Sequence, residues 1–218
     1  MRKATGVFAF VALLLMTGVA DVWAIPFDST PGTAAVCTGT QAGCTSGALT
    51  AVVVDPFWTL PPASSTAAWV SYNANTGFGG SAQPANTTVA TPTERFAISI
   101  PAGFTSLSIT VWADDTAGLR LDGGAFLTPP PSSTLAAQCV TGGITCTGAG
   151  TNFVIALGGA AHTLDFDVFQ LGGSSFGFMY TGELTAVPEP ATLLLVGSAL
   201  AAAGLVSRKR LKKEQAIS

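Results

Sequence analysis

Asp114, Asp115 and Asp122 stand close together in "WADDTAGLRLDGG", residues 112–124. Carboxylates are hard oxygen donors, and a cluster of them can hold Ca²⁺ at about 2.3–2.6 Å. A strand through Leu119 and Leu121 that returned beside one through Ile109 and Val111 would gather all three at one end of a hairpin. Asp-Asp and Asp-Gly are also ordinary turn sequences whose carboxylates accept from nearby backbone N–H groups, and that plainer role is the commoner one. Other chemistry is thinly supplied. His162 is the single histidine, so it is the only imidazole general base on offer. A two-carboxylate glycosidase would need Asp114 to converge with Asp165 or Glu183. Trp58, Trp69 and Trp112 could stack on a sugar, although large aromatics in an all-β domain more often fill its core. The expectation is a protein that is not an enzyme, with no cofactor unless Ca²⁺ binds the aspartates.

Four cysteines fall as "CTGTQAGC" (Cys37, Cys44) and "CVTGGITC" (Cys139, Cys146). An even count fits disulfides in an oxidising compartment. Four cysteines allow three pairings, of which the two local ones are favoured because each loop contains turn-forming glycine. Each small loop would stabilise the fold by about 2 kcal/mol through lost chain entropy. The six-residue spacer is wider than the two to four residues common in zinc sites.

The 218 residues are 48% hydrophobic and 10% charged, well below the usual quarter charged. Much of that excess lies at the ends. Met1–Lys3 carries two positive charges, residues 4–20 are apolar, and Val22–Ala24 offers small residues at a cleavage site. That is the order of a secretory signal peptide over 1–24, with the mature chain starting at Ile25. Near the other end, residues 191–207 are 17 without a charge, about 26 Å as a helix and near the lower limit for crossing a bilayer. Arg208, Lys209, Arg210, Lys212 and Lys213 follow as a stop-transfer cluster facing the cytoplasm, and 214–218 is a short tail. Between Ile25 and Val187 there are nine acidic and two basic residues, a formal charge of −7 against −3 for the whole chain. So acidic a body repels nucleic acid phosphates.

The middle has no helical period and many turn residues. Strands are expected in "LTAVVV" (49–54), "AAWVSY" (67–72), "RFAISI" (95–100), "SLSITVWA" (106–113), "AGLRLDG" (117–123), "NFVIAL" (152–157), "HTLDFDVFQ" (162–170) and "FGFMYTGEL" (176–184). In the clearest, Leu164, Phe166 and Val168 face inward and Asp165 and Asp167 outward. Short strands with turn signals between them read as an all-β antiparallel sandwich or jelly roll over 49–186, preceded by a loop-rich segment, 25–48, that carries the first cysteine loop.

At "VPEPAT", the apolar stretch and the closing basic cluster, residues 187–213, the chain resembles the PEP-CTERM sorting signal of Gram-negative bacteria. The resemblance implies that Val187, Pro188, Glu189 and Pro190 are recognised by an exosortase, a membrane-embedded cysteine protease-transpeptidase. It also implies anchoring in the inner membrane before processing and then a cell-surface or extracellular destination. Prolines join neither ladders nor helix interiors, which keeps such a motif extended and accessible. The segments "AAWVS", "ERFAISIPAGFTSLSITVWADDTAGLRLDGG" and "HTLDFDVFQLGG" resemble galactose-binding-like β-sandwiches. The Asp-Asp and Leu-x-Leu-Asp-Gly pair is similar to PA14-type lectins, in which paired aspartates hold calcium. Together these imply an envelope or matrix protein with extracellular polysaccharide as its partner, or one with a purely structural role. An enzyme acting on that polysaccharide, or a self-associating matrix protein, is the alternative.

Overall fold

Apolar and polar side chains that alternate along a strand need a sheet with one dry face. The computed structural model describes residues 23–39, 41, 43–82, 94–127, 144–170, 175–187 and 197–201, and within them eleven strands meet that need. In chain order they are β1 (Ala24–Pro26), β2 (Ala34–Gly39), β3 (Gly47–Ala48), β4 (Thr50–Ala51), β5 (Val70–Ser71), β6 (Glu94–Ile100), β7 (Phe104–Asp114), β8 (Thr116–Leu121), β9 (Thr151–Ala156), β10 (His162–Phe169) and β11 (Gly177–Ala186). One sheet runs β4-β5-β11-β7-β9, with β1 also on β11; the other runs β3-β2-β6-β10-β8. Every strand pair is antiparallel. Ala24–Ala186 forms one compact unit, the two-sheet antiparallel architecture that the alternation predicts.

The inner faces meet through aromatic rings. Phe166 on β10 lies opposite Phe96 on β6 and Leu119 on β8, while Phe178 and Tyr180 on β11 lie opposite Ala113 and Val111 on β7. Across the gap the Phe96–Phe178 centroids are 4.6 Å apart, and the Phe166 ring is 5.1 Å from Phe178 and 5.0 Å from Tyr180. All four rings are buried, and each such ring contributes about 1.5–3 kcal/mol relative to exposure.

Three expectations change. Segment 25–48 is not a loop-rich preface: β1 joins one sheet while β2 and β3 join the other, with Ala35 and Cys37 of β2 buried. The runs at 49–54 and 67–72 contribute only the two-residue strands β4 and β5. Most consequentially, β7 and β8 do not form a hairpin. Both edges of β7 are taken, by β11 and β9, so β8 pairs with β10 in the opposite sheet. Asp115 is the crossing point between the layers, its N–H donating to the Phe169 carbonyl at 3.1 Å.

Candidate functional site

That crossing decides the fate of the three aspartates. Asp114 and Asp115 sit together where β7 hands over to β8, joined by a cis peptide, and both are buried. Asp122 lies beyond the far end of β8, and the six residues of β8 span ~20 Å at strand rise. The three do not form one cluster. Asp114 Oδ2 accepts from Trp58 Nε1 at 3.0 Å. Burial, then the charge and hydrogen bond of neighbouring Asp115, push the Asp114 carboxyl far above the usual range, so it holds its proton at neutral pH. Glu183 stands opposite Ser108 whereas Asp114 stands opposite Gly177, again ~20 Å apart along the ladder. Asp165 is in the other sheet and accepts from the Gly123 N–H at 2.8 Å. The carboxylates weighed for glycoside cleavage are thus spread over separate places.

Asp122 meets His162 instead. His162 Nε2 is 2.7 Å from the Leu157 carbonyl and Nδ1 is 2.7 Å from Asp122 Oδ2, while Asp122 Oδ1 accepts from the Thr163 N–H at 2.7 Å. A carbonyl and a carboxylate both only accept, so both imidazole nitrogens carry protons in this geometry. The Asp122 hydrogen bond is the main cause that raises the His162 pKa, and the His162 hydrogen bond is the main cause that lowers that of Asp122. This imidazolium clip ties the β8 end to the β9–β10 turn and leaves no ring nitrogen free for base catalysis. A histidine raised in the folded state stabilises fully below its ordinary value and loses that contribution as pH rises through the folded one. Thermal melts across neutral pH are therefore expected to show a loss that His162→Asn abolishes; an NMR titration placing His162 at or below the ordinary value would refute the clip.

The outward aspartates of β10 are buried as well. Asp167 is 0% exposed and accepts from Arg95 Nε and Nη2 on β6 and from Arg120 Nε at 2.9 Å on β8. Arg120 lies 3.7 Å over the Phe126 ring, and Phe126 packs so closely on Gly118 that a Cβ there would meet the ring at 2.3 Å. Asp167 therefore engages both arginines found between Ile25 and Val187, a stretch without lysine. Strand pairing brings them together: Arg95 is the register partner of Asp167 on β6, and Arg120 reaches it from beside Asp165 on β8.

Cys37 and Cys44 form a disulfide, as expected of a local loop. Cys146 is buried and disulfide-bonded, and Cys139 lies outside the described residues. Glu94, which the sequence did not single out, lies beside the first bridge: its Oε2 is 3.9 Å from Cys37 Sγ and its Oε1 accepts from the Gln41 N–H at 3.1 Å. Cys37, Cys44 and Glu94 are close enough to share a metal, but bridged sulfurs are not the thiolates that metals need. Burial pushes the Glu94 carboxyl up to about 7, against the opposing hydrogen bond from Gln41. An acid raised this way favours folding while protonated, so stability falls as pH climbs from the ordinary 4.5 through about 7. Glu94→Gln keeps an acceptor for Gln41 and is expected to flatten that fall in denaturant titrations, making the variant the more stable protein at alkaline pH. An unchanged slope would show that Glu94 ionises freely.

Trp58, Trp69 and Trp112 are buried with Met179 on the outer side of the larger sheet, Trp58 and Trp69 stacked at 4.1 Å. Trp69 Nε1 donates to the Thr59 carbonyl at 2.8 Å and Trp112 Nε1 to that of Gly148 at 3.1 Å. They are a second core and present no open stacking face. The concavity is elsewhere. A cleft of about 380 Å³ opens under the connection from β1 to β2, lined by Phe27, Asp28, Thr30, Thr33, Ser99 and Tyr180 among others. Its size falls within the roughly 300–1,000 Å³ of small-ligand sites. Asp28 holds one wall in place, accepting from Thr181 Oγ1 at 2.7 Å on one oxygen and from the Thr66 N–H and hydroxyl at 2.9 and 3.1 Å on the other. No sequence pattern announced this cleft, because its lining comes from four separate stretches of chain.

The unit ends where β11 ends. Ala186 pairs with Phe104, the first residue of β7, so the ladder has no partner for a further residue, and Val187 is exposed. Pro188–Pro190, the basic cluster 208–213 and residues 1–22 lie outside the described residues, and of the expected span 191–207 only 197–201 is described, as helix. Among the described residues no helix is long and apolar enough to cross a membrane. No curated protein matches the chain. Residues 186–210 match the PEP-CTERM protein-sorting motif, and the chain is thereby an exported all-β protein carrying an exosortase sorting signal.

Proposed function

We propose that this protein is a non-catalytic β-sandwich of the cell surface or extracellular matrix, freed from its membrane anchor by an exosortase, and that it binds carbohydrate there. The supporting observation is the place of the sorting motif: it begins as β11 ends, so cutting there releases a complete domain. The first strand agrees with this. β1 lies beside β11 with Ala24 opposite Thr185, so the chain enters and leaves the sandwich at one corner. Calcium is left out of the reading, because Asp122 is remote from Asp114 and Asp115 and a protonated Asp114 is a poor ligand for a hard cation.

The test has two arms. Surface proteolysis and fractionation of producing cells should find the sandwich outside the inner membrane, shortened at both ends. The released form should then co-sediment with the cells' own insoluble polysaccharide without shortening it. Appearance of new reducing ends would favour the enzyme alternative, and sedimentation without polysaccharide would favour a self-associating matrix protein.

A further inference from the structure

We propose that the cleft beneath the β1–β2 connection is a subsite for a neutral saccharide ring, with the Tyr180 hydroxyl as its recognition group. Tyr180 is 1% exposed and lines the cleft, yet its hydroxyl makes no hydrogen bond among the described residues. The hydroxyl keeps contact with solvent, so a ligand hydroxyl arriving in the cleft replaces water on a group with donor and acceptor capacity to spare. Burial pushes this phenol's pKa upward, with the nearby Asp28 charge adding to the effect, so it stays protonated and can both donate and accept. Thr30 and Thr33 hydroxyls, 3.1 Å apart, share one proton between them and keep a donor and lone pairs to spare. Ser99 adds a third hydroxyl at the rim. Phe27, whose ring lies 5.2 Å from Tyr180, supplies an apolar wall. A sugar ring has this same mixture, C–H faces with hydroxyl edges.

Charge narrows the class. Among the described residues no lysine, arginine or histidine lines the cleft, and the Asp28 carboxylate does. The arginines Arg95 and Arg120 are both committed to Asp167. A uronate or sulfated sugar would therefore meet a negative wall with no counter-ion, whereas a neutral ring meets hydroxyls. Asp28 itself has no acceptor capacity to offer, since Thr66, Thr181 and Gly182 occupy both its oxygens. It shapes the pocket while Tyr180 and the threonines read the ligand. Pro26, Phe27 and Asp28 follow the expected cleavage point at Ala24 by only a few residues, so the mature N-terminal segment completes the site.

This inference rests on the carbohydrate reading above, and calorimetry on the released protein separates the two. Glucose, galactose, mannose, N-acetylglucosamine and their β-linked disaccharides would be titrated beside glucuronate and galacturonate. At least one neutral sugar is expected to bind, the uronates are not, and Tyr180→Phe weakens binding about tenfold, the share of one hydrogen bond. Because the hydroxyl lacks a protein partner, Tyr180→Phe should melt no lower than the parent, which distinguishes lost recognition from lost fold. Ala34→Phe, which adds bulk to the lining without removing a hydrogen bond, should abolish binding. A neutral sugar that binds both variants as tightly as the parent would overturn the cleft and leave the carbohydrate reading standing. Equal binding of uronates would overturn the assignment to neutral rings, and no binding by any of these sugars would overturn both readings.

Discussion

A chain carrying Pro188→Ala, Glu189→Ala and Pro190→Ala stays at full length in the inner-membrane fraction, and its release falls to the level of cells lacking the exosortase. Two features of the chain lead to this. The motif at residues 186–210 is the element that the processing enzyme recognises. The β7–β11 ladder is exhausted at the Ala186–Phe104 pair, and a proline at 188 supplies no N–H with which another strand could recruit the segment. Glu189→Ala alone separates the contributions: if the charge is read directly, the single variant is as defective as the triple one, and if extension is what matters, the two proline variants are the worse. Immunoblots of membrane, surface and medium fractions supply the measurement. Release of the triple variant at the parental level would show that the sandwich reaches the surface by another route, and the proposed display role would fall with it.

The largest expected effect on stability comes from the three strands that share one carboxylate. Asp167 is fully buried, while the Arg95 and Arg120 side chains are 38% and 24% exposed. The asymmetry matters: truncating Asp167 leaves two arginines that can turn to water, but removing both arginines strands a buried charge. Arg95→Met with Arg120→Met keeps most of the apolar cover and deletes both counter-ions, and should cost about 3 kcal/mol, the low end for an orphaned buried charge because water can follow. That corresponds to a fall in melting temperature of roughly 6–12 °C for a domain of this size. Each single variant should cost less, since one guanidinium remains. Replacing Asp167 with leucine in the doubly substituted background removes the stranded charge and should recover most of the loss. If the double variant melts with the parent, the cluster is a surface ion pair of the ordinary weak kind and the register of β6, β10 and β8 is held by the phenylalanines alone.

Much of the sandwich was visible in the residue order. In β6 and β10 the apolar residues fall on every second position, and both segments are strands with those residues inward. Such a pattern is local, since two-residue spacing puts side chains on one face whatever the partner strand. The cysteine loop at 37–44 and the sorting tail were legible for the same reason, each being complete within a short stretch of chain. β2 was not legible in this way: Ala34-Ala35-Val36-Cys37 is apolar throughout, and only the fold buries Ala35 and Cys37 while exposing Ala34 and Val36.

The chemical groupings obeyed a different rule. A strand's face is set by its own residues, but its neighbour is set by which edges stay open once every other strand has paired. Asp114 and Asp122 flank a stretch that looks like a hairpin, yet β7 had no free edge, so the chain crossed to the other sheet and carried Asp122 to His162. Asp167 faces away from the core as its position in β10 requires, and is buried all the same because Arg95 and Arg120 arrive from strands 72 and 47 residues away. Tyr180, one apolar-looking position in β11, gained a cleft only when the β1–β2 connection passed over it. Local spacing decides which way a side chain points; pairing across the whole chain decides what it meets there, and chemistry depends on the meeting.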